Sequence, residues 1–598
     1  MKITPIVTDT FDFPTLIKNG NVYVDKTSLL HRLVSCQDGY FFFISRPRRF
    51  GKSLMISTLE QIFLGNKELF KGLDIYASDY DWTPHPVLRL DMSRVKSTSA
   101  EGYSAVLCEI LKDLAKAFGV KLQTAGNPGI ALGRLLDAIT EKGTKAVVLI
   151  DEYDAPVGGL LDNPTLLNSV RTLLHDFYST LKSRSGQIRF LMMTGVSKFT
   201  KLSVFSGMNN LTDLSMSEIY ASLLGYTHRE IERFFAPHLQ AFAAKLGKPS
   251  PEVVHELLSW YNNYRFSPES DIRVSNPVSI GRALQERRFY GFWNATGNSS
   301  LIVERLRRLG KLPDEIENLR VYPKKLDVCD AKTLPLAALM YQGGYLTIKD
   351  VLPSGELVLG IPNREVCSAI YDGLVDELLQ ESADSFTSAA LRIRENLASG
   401  TDVAESVRTT LASVFAMVPH EWKIKSEAEA KRYFLLFMKM AGADICVEEQ
   451  SSKGRADAVL KTPAAIYIFE FKYGKTARSA LKQIADRHYA DPYQSDGRPL
   501  VCIGVNYNPR KSSVEIELPN KLPNKTAEKL PNKLPDKLAR TLSALATDPD
   551  VSAETIAETL NLTSRSVREH IKRLKALGYL TRIGSNKSGH WKVKGTAQ

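Results

Sequence analysis

Residues 44–53 read ISRPRRFGKS, between GYFFFIS (39–45) and LMISTLEQIFLG (54–65). A phosphate-binding loop follows the pattern G-x-x-x-x-G-K-[ST]: glycines let backbone N–H groups close around phosphate, and the lysine and hydroxyl finish the site. Gly51, Lys52 and Ser53 fit the end of that pattern, but Arg46 stands where the first glycine belongs. The flanks supply what the loop needs. GYFFFIS has the composition of a buried strand and LMISTLEQIFLG the apolar spacing of a helix, so the free N–H groups of a helix start would face the phosphates.

A carboxylate-bearing strand should accompany such a loop, and AVVLIDEYDAP (146–156) provides it. Five apolar residues run into Asp151, expected to help hold Mg²⁺, and Glu152, expected to polarise an attacking water. RFLMMTGVSKF (189–199) predicts a third strand, whose polar end, Thr194, Ser197 and Lys198, suits a γ-phosphate sensor. GKS and strand-Asp-Glu each occur by chance, but their joint occurrence in order and in α/β context points to ATP as cofactor. The expected nucleotide contacts are Arg49, Gly51, Lys52, Ser53, Asp151, Thr194 and Lys198, with Ser53 and Asp151 toward Mg²⁺.

At 598 residues the chain is too long for one core. With 43% hydrophobic and 24% charged residues it has the balance of a soluble globular protein, and its apolar runs (YFFFI, AVVLI) are strand-sized, not membrane-sized. The first residues lack a secretory signal pattern. Six scattered cysteines without C-x-x-C argue against a disulfide framework and a zinc site and fit a reducing cytoplasm. The expected setting is therefore cytoplasmic, with no membrane partner. From Leu518 to Gln598 there are 15 Lys+Arg against 7 Asp+Glu, so 8 of the 12 net positive charges lie in that last segment. Such a segment points to a polyanion, nucleic acid before membrane, with a solvated basic face as the alternative.

Five regions follow: an α/β region (1–225), a mostly helical one with aromatic clusters (226–340), a second α/β region (341–510), a linker (511–540) and a small terminal domain (541–598). Within the linker, LPNKLPNKTAEKLPNKLPDKL repeats Leu-Pro-Asn/Asp-Lys four times, and prolines at that density forbid a continuous helix.

Five stretches in order resemble the AAA-ATPase-like domain of bacterial proteins that carry a C-terminal PD-(D/E)XK nuclease: VYVDKTSLL (22–30), SRPRRFGKSLMISTLEQIF, LIDEYDAP, TGVSKFTKLSVFSGMNNLTDLS and LLGYTHREIERFF. The resemblance covers roughly residues 5–300 and implies that Arg-Pro-Arg-Arg is the normal form of this loop. One departure is YNNYRFS, where the family usually has glycine at Asn263, which puts the local turn in question but not the ATP site.

The second region contains GRADAVL and AIYIFEFKYG. On a strand, Ile466, Ile468, Glu470 and Lys472 share one side while Tyr467, Phe469, Phe471 and Tyr473 share the other. Both sides are apolar until the end, so Glu470 and Lys472 sit beside buried positions, at a cost that pairing or a metal would remove. Asp457 lies 13 residues earlier, on an expected antiparallel neighbour. Asp-(x12)-Glu-x-Lys matches the PD-(D/E)XK pattern: Asp457 and Glu470 as Mg²⁺ ligands, Lys472 as a point charge for the water or the transition state. A surface Asp with a Glu–Lys pair is the plain alternative. GIPNREV, SEAEAKRYF, EEQSSKGRADAVL, FEFKYG and ALKQIADRHY resemble the companion nuclease domain in order. That resemblance implies Glu427 (a further metal ligand) and Glu448 as accessory acids, and Gln483 orienting substrate or bound water. Lys431 departs from it, since relatives often carry histidine there, which weakens the assignment of that helix.

In the terminal domain, Ser552 is expected to cap one helix and Thr563 or Ser564 the next. Val567, Ile571, Leu574 and Leu577 form one apolar face of the second helix, with Arg565, Arg568, Lys572 and Lys575 opposite. A hairpin, YLTRIG-SNKSG-HWKV, follows. The whole resembles a winged helix, whose second helix would enter the major groove while Lys587, His590 and Lys592 meet phosphates. A winged helix used for protein contacts is the alternative.

The sequence therefore predicts a multidomain α/β protein: a P-loop NTPase core with a helical extension, a restriction-endonuclease-like PD-(D/E)XK domain and a small winged helix-turn-helix domain. The function expected is ATP turnover coupled to Mg²⁺-dependent cleavage of DNA, with Glu152, Asp457, Glu470, Lys472 and Gln483 as catalytic residues. Two rivals stand beside it: a nucleotide-gated DNA-binding regulator whose nuclease fold is only structural, and a protein-interaction ATPase. DNA is the expected partner. A homo-oligomer through the ATPase domain is left open, because AAA-type sites are often completed by a neighbour's arginine.

Overall fold

In a computed structural model, the residues described are 3–36, 39–160, 163–198, 210–293, 316–326, 336–379, 424–440, 445–451, 454–462, 464–511, 513–518, 536–547, 551–560, 562–576, 580–583 and 590–593, with single positions between 301 and 410. The chain divides into two compact units, Met1–Leu518 and Pro519–Gln598.

The first unit begins with five parallel strands in the order β2-β3-β4-β1-β5. These are β1 (Phe41–Ser45), β2 (Val87–Asp91), β3 (Ala146–Asp151), β4 (Ile188–Gly195) and β5 (Thr212–Asp213). The strands β1 and β3 are buried at every position, because helices cover both faces of the sheet. Alternation decides which core each side chain enters. Phe42, Ile44, Val147 and Leu149 pack with Ile56, Leu59 and Phe63 of α1 (Lys52–Phe63). Phe41, Phe43, Val148 and Ile150 pack with α2 (Ala100–Ala117), α3 (Pro128–Thr140) and α4 (Pro164–Ser183) through Leu107, Leu132 and Leu174. Gly51, with φ of 93°, makes the turn from loop to α1 in a conformation that favours glycine.

A helical module follows: the paired strands β6 (Tyr226–Thr227) and β7 (Val274–Ser275), with α5 (His228–Phe234), α6 (Ala236–Leu246), α7 (Ser250–Tyr261) and α8 (Pro277–Glu286). Thr227 and Glu230 cap α5 reciprocally, and Lys26 Nζ reaches Glu230 at 2.6 Å. At the questioned turn Asn263 takes a φ of 74°, the left-handed region where glycine or asparagine serves.

A small antiparallel sheet, β8 (Leu319–Val321), β10 (Leu357–Gly360) and β9 (Thr347–Val351), comes with α9 (Leu336–Gly343) and α10 (Arg364–Leu379). The last sheet of this unit runs β11-β12-β13-β14-β15: Ile445–Ser451, Gly454–Lys461, Ile466–Tyr473, Leu500–Asn508 and Ser513–Glu517. Only β13 and β14 pair in parallel. Tyr467, Phe469 and Phe471 pack toward Phe434 and Leu435 of α11 (Glu427–Met440), whereas Ile466 and Ile468 pack toward Ile484 of α12 (Ala477–Asp486). The two faces of β13 thus serve two cores, as its sequence predicts.

In the second unit α13 (Asp536–Thr547), α14 (Ala553–Thr559) and α15 (Ser564–Ala576) precede an antiparallel pair, β16 (Leu580–Ile583) and β17 (His590–Val593). Leu542, Leu545, Ile556, Val567, Leu574 and Leu580 form its core. Ser552 caps α14 by accepting from Thr555 N, and Thr563 Oγ1 accepts from Ser566 N at the start of α15. Among the described residues, no helix is long and apolar enough to cross a membrane.

Candidate functional site

Sheet order brings the first set of residues together. Because β4 lies between β1 and β3, Thr194 stands beside both the loop and Asp151. Lys52 is buried, and its Nζ donates to the carbonyl oxygens of Arg46 (2.9 Å) and Pro47 (3.0 Å). Burial pushes the ammonium below its ordinary range, against the attraction of Asp151, Asp154 and Glu152. Thr194 Oγ1 donates to Asp151 Oδ1 at 2.5 Å. Glu152 sits at φ 50°, half-buried, its carboxyl raised by burial and by Asp151. Lys198 Nζ pairs with Asp213 Oδ2 at 3.0 Å, and its backbone N–H donates to Gln342 Oε1. Ser53 opens α1 directly after Lys52. A cleft beside Gly51 and Arg49 is walled by Val24, Phe50, Met55, Tyr226 and Val278.

Asp154 braces the far side of this site. Its carboxylate accepts from Ser197 N (2.8 Å), Ser197 Oγ (2.6 Å) and Val196 N (3.3 Å), and Tyr153 Oη donates to Ser197 O (2.7 Å). The approach is so close that a Cβ on Gly195 would lie 2.5 Å from the Tyr153 ring.

The second set converges at the ends of β12 and β13. Phe471 N donates to Asp457 Oδ2 at 2.8 Å, which fixes Asp457 against the strand that carries Glu470. Glu470 is almost fully buried; Gln483 Nε2 donates to its Oε1, as does Lys472 Nζ at 3.0 Å. Lys472 also reaches Glu427 at 3.1 Å, so α11 brings that carboxylate beside Lys472. Burial first, then Asp457, pushes the Glu470 carboxyl up to about 7. For Lys472 burial acts downward, but the hydrogen bonds it donates to Glu470 and Glu427 outweigh it and leave the ammonium raised. Glu448 lies on β11.

Among the described residues, no group of three or more His, Cys, Asp or Glu is gathered closely enough to form a metal site from side chains alone. A hard cation that keeps several waters needs fewer protein ligands. Glu470 Oε2 is buried without a hydrogen-bond partner beside Asp457, and an all-oxygen pair of that kind fits Mg²⁺.

In the second unit Arg565, Arg568, Lys572 and Lys575 are exposed on α15, opposite buried Val567 and Leu574. Arg568 pairs with Glu554, and Lys575 Nζ lies 5.6 Å from the Trp591 ring centroid. Lys592 sits on β17 opposite Thr581. Lys587 and Leu577 lie outside the described residues.

Residues 6–205 match the family described as predicted AAA-ATPase, residues 425–517 the PD-(D/E)XK nuclease superfamily, and residues 537–590 an HTH domain. An uncharacterised protein in the vnfD 5′ region of Azotobacter chroococcum mcd 1 is 32% identical over 527 residues, covering 86% of this chain and 98% of that protein. The chain belongs to this AAA-ATPase-like, PD-(D/E)XK family. Among solved structures, the Aeropyrum pernix ORC2 protein (ADPNP–ADP complexes) aligns at 13% identity over 60% of this chain and 93% of that one, with a TM-score of 0.23. Drosophila ORC bound to GC-rich DNA and Cdc6 aligns at 10% identity over 96% and 91%, also at 0.23. Scores that low support no inference about this chain.

For this AAA-ATPase-like protein, three features had no local signal in the sequence: the Asp154 brace, the closing of the cleft beside Gly51, and Glu365. The cleft walls do come from conspicuous stretches, VYVDKT and LLGYTH, but their meeting depends on chain segments about 200 residues apart. Glu365 is a buried carboxylate at the start of α10 that accepts from Ser279 Oγ (2.8 Å) and Trp293 N (2.8 Å). Burial pushes it up to about 7, and Ser279, the Trp293 and Phe292 amides and Arg49 oppose that rise.

Proposed function

We propose that the chain binds and hydrolyses ATP at Lys52, Ser53, Asp151 and Glu152 and couples that turnover to cleavage of DNA at Asp457, Glu470 and Lys472. In this reading residues 1–225 form the ATPase core, 226–340 its helical extension and 341–510 the nuclease, whose sheet runs on through β15 into the expected linker 511–540, and the DNA-binding domain of 541–598 gains the start of α13 from Asp536. Mg²⁺ bound by Asp457 and Glu470 would supply Lewis acidity to a phosphodiester and acidify a coordinated water. Lys472 then places a positive charge beside the reacting phosphate, and Gln483 holds the Glu470 carboxylate in orientation. Arg565, Lys572 and Lys575 would meet DNA, with Lys587 and Lys592 on phosphates. A reducing cytoplasm suits the thiols of Cys36, Cys108 and Cys502.

One observation carries the coupling: a single apolar core joins both sites. It includes Ile56 and Leu59 of the Lys52 helix, Tyr264 and Tyr345 of the middle modules, and Phe434 and Phe471 behind Asp457. Ring contacts link it, Phe50 to Tyr264 at 4.9 Å, Trp293 to Tyr345 at 4.7 Å and Phe434 to Phe471 at 5.0 Å. A shift of the loop would therefore be felt at the nuclease sheet, since close-packed interiors transmit displacement.

A second reading, a nucleotide-gated DNA-binding regulator, draws support from Lys431 and Lys472, which neutralise Asp457 and Glu470 without a metal. Plasmid, Mg²⁺ and ATP separate the two. Cleavage by wild type and its loss in Asp457→Ala is expected; identical behaviour of both proteins across several DNA forms would leave only the regulator. Removal of residues 541–598 should weaken DNA binding and flatten its salt dependence.

A further inference from the structure

The loop from Arg46 to Phe50 carries three guanidinium groups, and the fold gives each a different setting. Arg46 points into the protein: it is fully buried, donates through Nη1 to Ser45 O (2.9 Å) and Ser215 O (2.7 Å), and stacks 4.1 Å over the Phe266 ring. Arg49, at φ 68°, donates to Phe292 O at 3.1 Å and is drawn toward Glu365. Arg48 alone is exposed, and among the described residues its side chain makes no hydrogen bond or ion pair.

Its main chain is nevertheless held, since Asn276 Nδ2 donates to Arg48 O at 3.4 Å. Nearby charges repel it: Arg48 bears unfavourably on both Lys52 and Arg49. A held, unpaired arginine beside a buried ammonium is a local excess of positive charge that a polyphosphate would neutralise, and a planar fork suits phosphate oxygens.

We propose that Arg48 is the guanidinium that contacts the terminal phosphate of bound ATP from within the same chain. The proposal rests on the reading of residues 44–53 as an ATP site. In the step it assists, the oxygen of a water bonds to the terminal phosphorus while the bridging P–O bond breaks. The bridging electron pair stays on the diphosphate, and one water proton passes to Glu152 and then to solvent. Arg48 neither gains nor loses a proton; it neutralises charge building on the transferred group. The site needs no arginine from a second copy.

The test uses the full chain, with ATP hydrolysis and binding of a fluorescent ADP analogue measured on each protein. Arg48→Ala should lose about 100-fold or more in kcat, by the scale of such arginines, while analogue affinity moves less than about threefold, a change below the tenfold step of 1.4 kcal/mol. Arg48→Lys should recover only part of the rate, because an ammonium lacks the fork. Mixing Arg48→Ala with Lys52→Ala should give no more activity than the two alone. Activity regained on mixing would move the arginine to a neighbour's site and overturn the proposal, as would an unchanged kcat in Arg48→Ala. Wild type that binds the analogue but does not hydrolyse ATP would also overturn it, leaving the nucleotide site standing. Wild type that binds no nucleotide removes the site reading itself.

Discussion

Lys431 Nζ stands 3.3 Å from Asp457 Oδ1, so the carboxylate proposed to hold Mg²⁺ already faces an ammonium. The helix α11 therefore places an ammonium beside Asp457. Lys431→Gln should tighten binding of Mg²⁺ or Mn²⁺ by about three- to tenfold, because a partly buried like charge is removed from the site. Titration calorimetry on the full chain without DNA reads this directly. Weaker binding would mean that Lys431 holds Asp457 in place instead.

Asp154 supports the end of β4 by accepting three hydrogen bonds from residues 196 and 197. Asp154→Ala leaves buried donors without acceptors, at a cost of about 1–3 kcal/mol. A lower thermal midpoint is expected, together with slower ATP turnover as Thr194 and Lys198 lose their fixed positions. If both measurements match wild type, the brace is idle.

Glu365 provides a pH dependence. Its carboxyl titrates at about 7 in the folded protein against an ordinary value of 4.5, so the folded state favours the protonated form. The stabilisation is present below about pH 4.5 and is lost as pH rises through 7. A shift of that size corresponds to about 3 kcal/mol. Thermal midpoints of wild type and Glu365→Gln, measured from pH 5 to 8, should show the wild-type advantage shrinking as pH rises. Parallel curves would show that this carboxyl does not titrate differently on folding.

Asn263 occupies a left-handed conformation at φ 74°. Asn263→Ala should cost about 1 kcal/mol, while Asn263→Gly should be nearly neutral, since glycine accepts that region freely and asparagine tolerates it. Equal stability of all three proteins would show that the turn relaxes.

What was legible in the sequence was local. The strand, loop and helix around Lys52, the alternation along Ile466–Tyr473 and the caps at Ser552 and Thr563 all depend on spacings of a few residues, and the structure bears them out. Long-range partners were not. Lys198 meets Asp213 of β5 only through the sheet, 15 positions further along the sequence. DEYDAP was conspicuous, yet its second aspartate acts on a turn 43 residues away. Glu365 meets Ser279 across 86 residues. Hydrogen bonds of that range leave no periodic trace, because one polar residue at either end suffices.

The core shared by the Lys52 helix and the Asp457 sheet limits how the two proposed activities can be dissected. A fragment ending near residue 340 would lay bare the face of Trp293 that Tyr345 covers, and would invite aggregation before revealing an isolated ATPase. An apolar truncation such as Phe434→Ala opens a cavity in that same wall, so one lesion is expected to impair both halves. Clean separation of function therefore belongs to polar substitutions at the sites themselves, Lys52 on one side and Asp457 on the other.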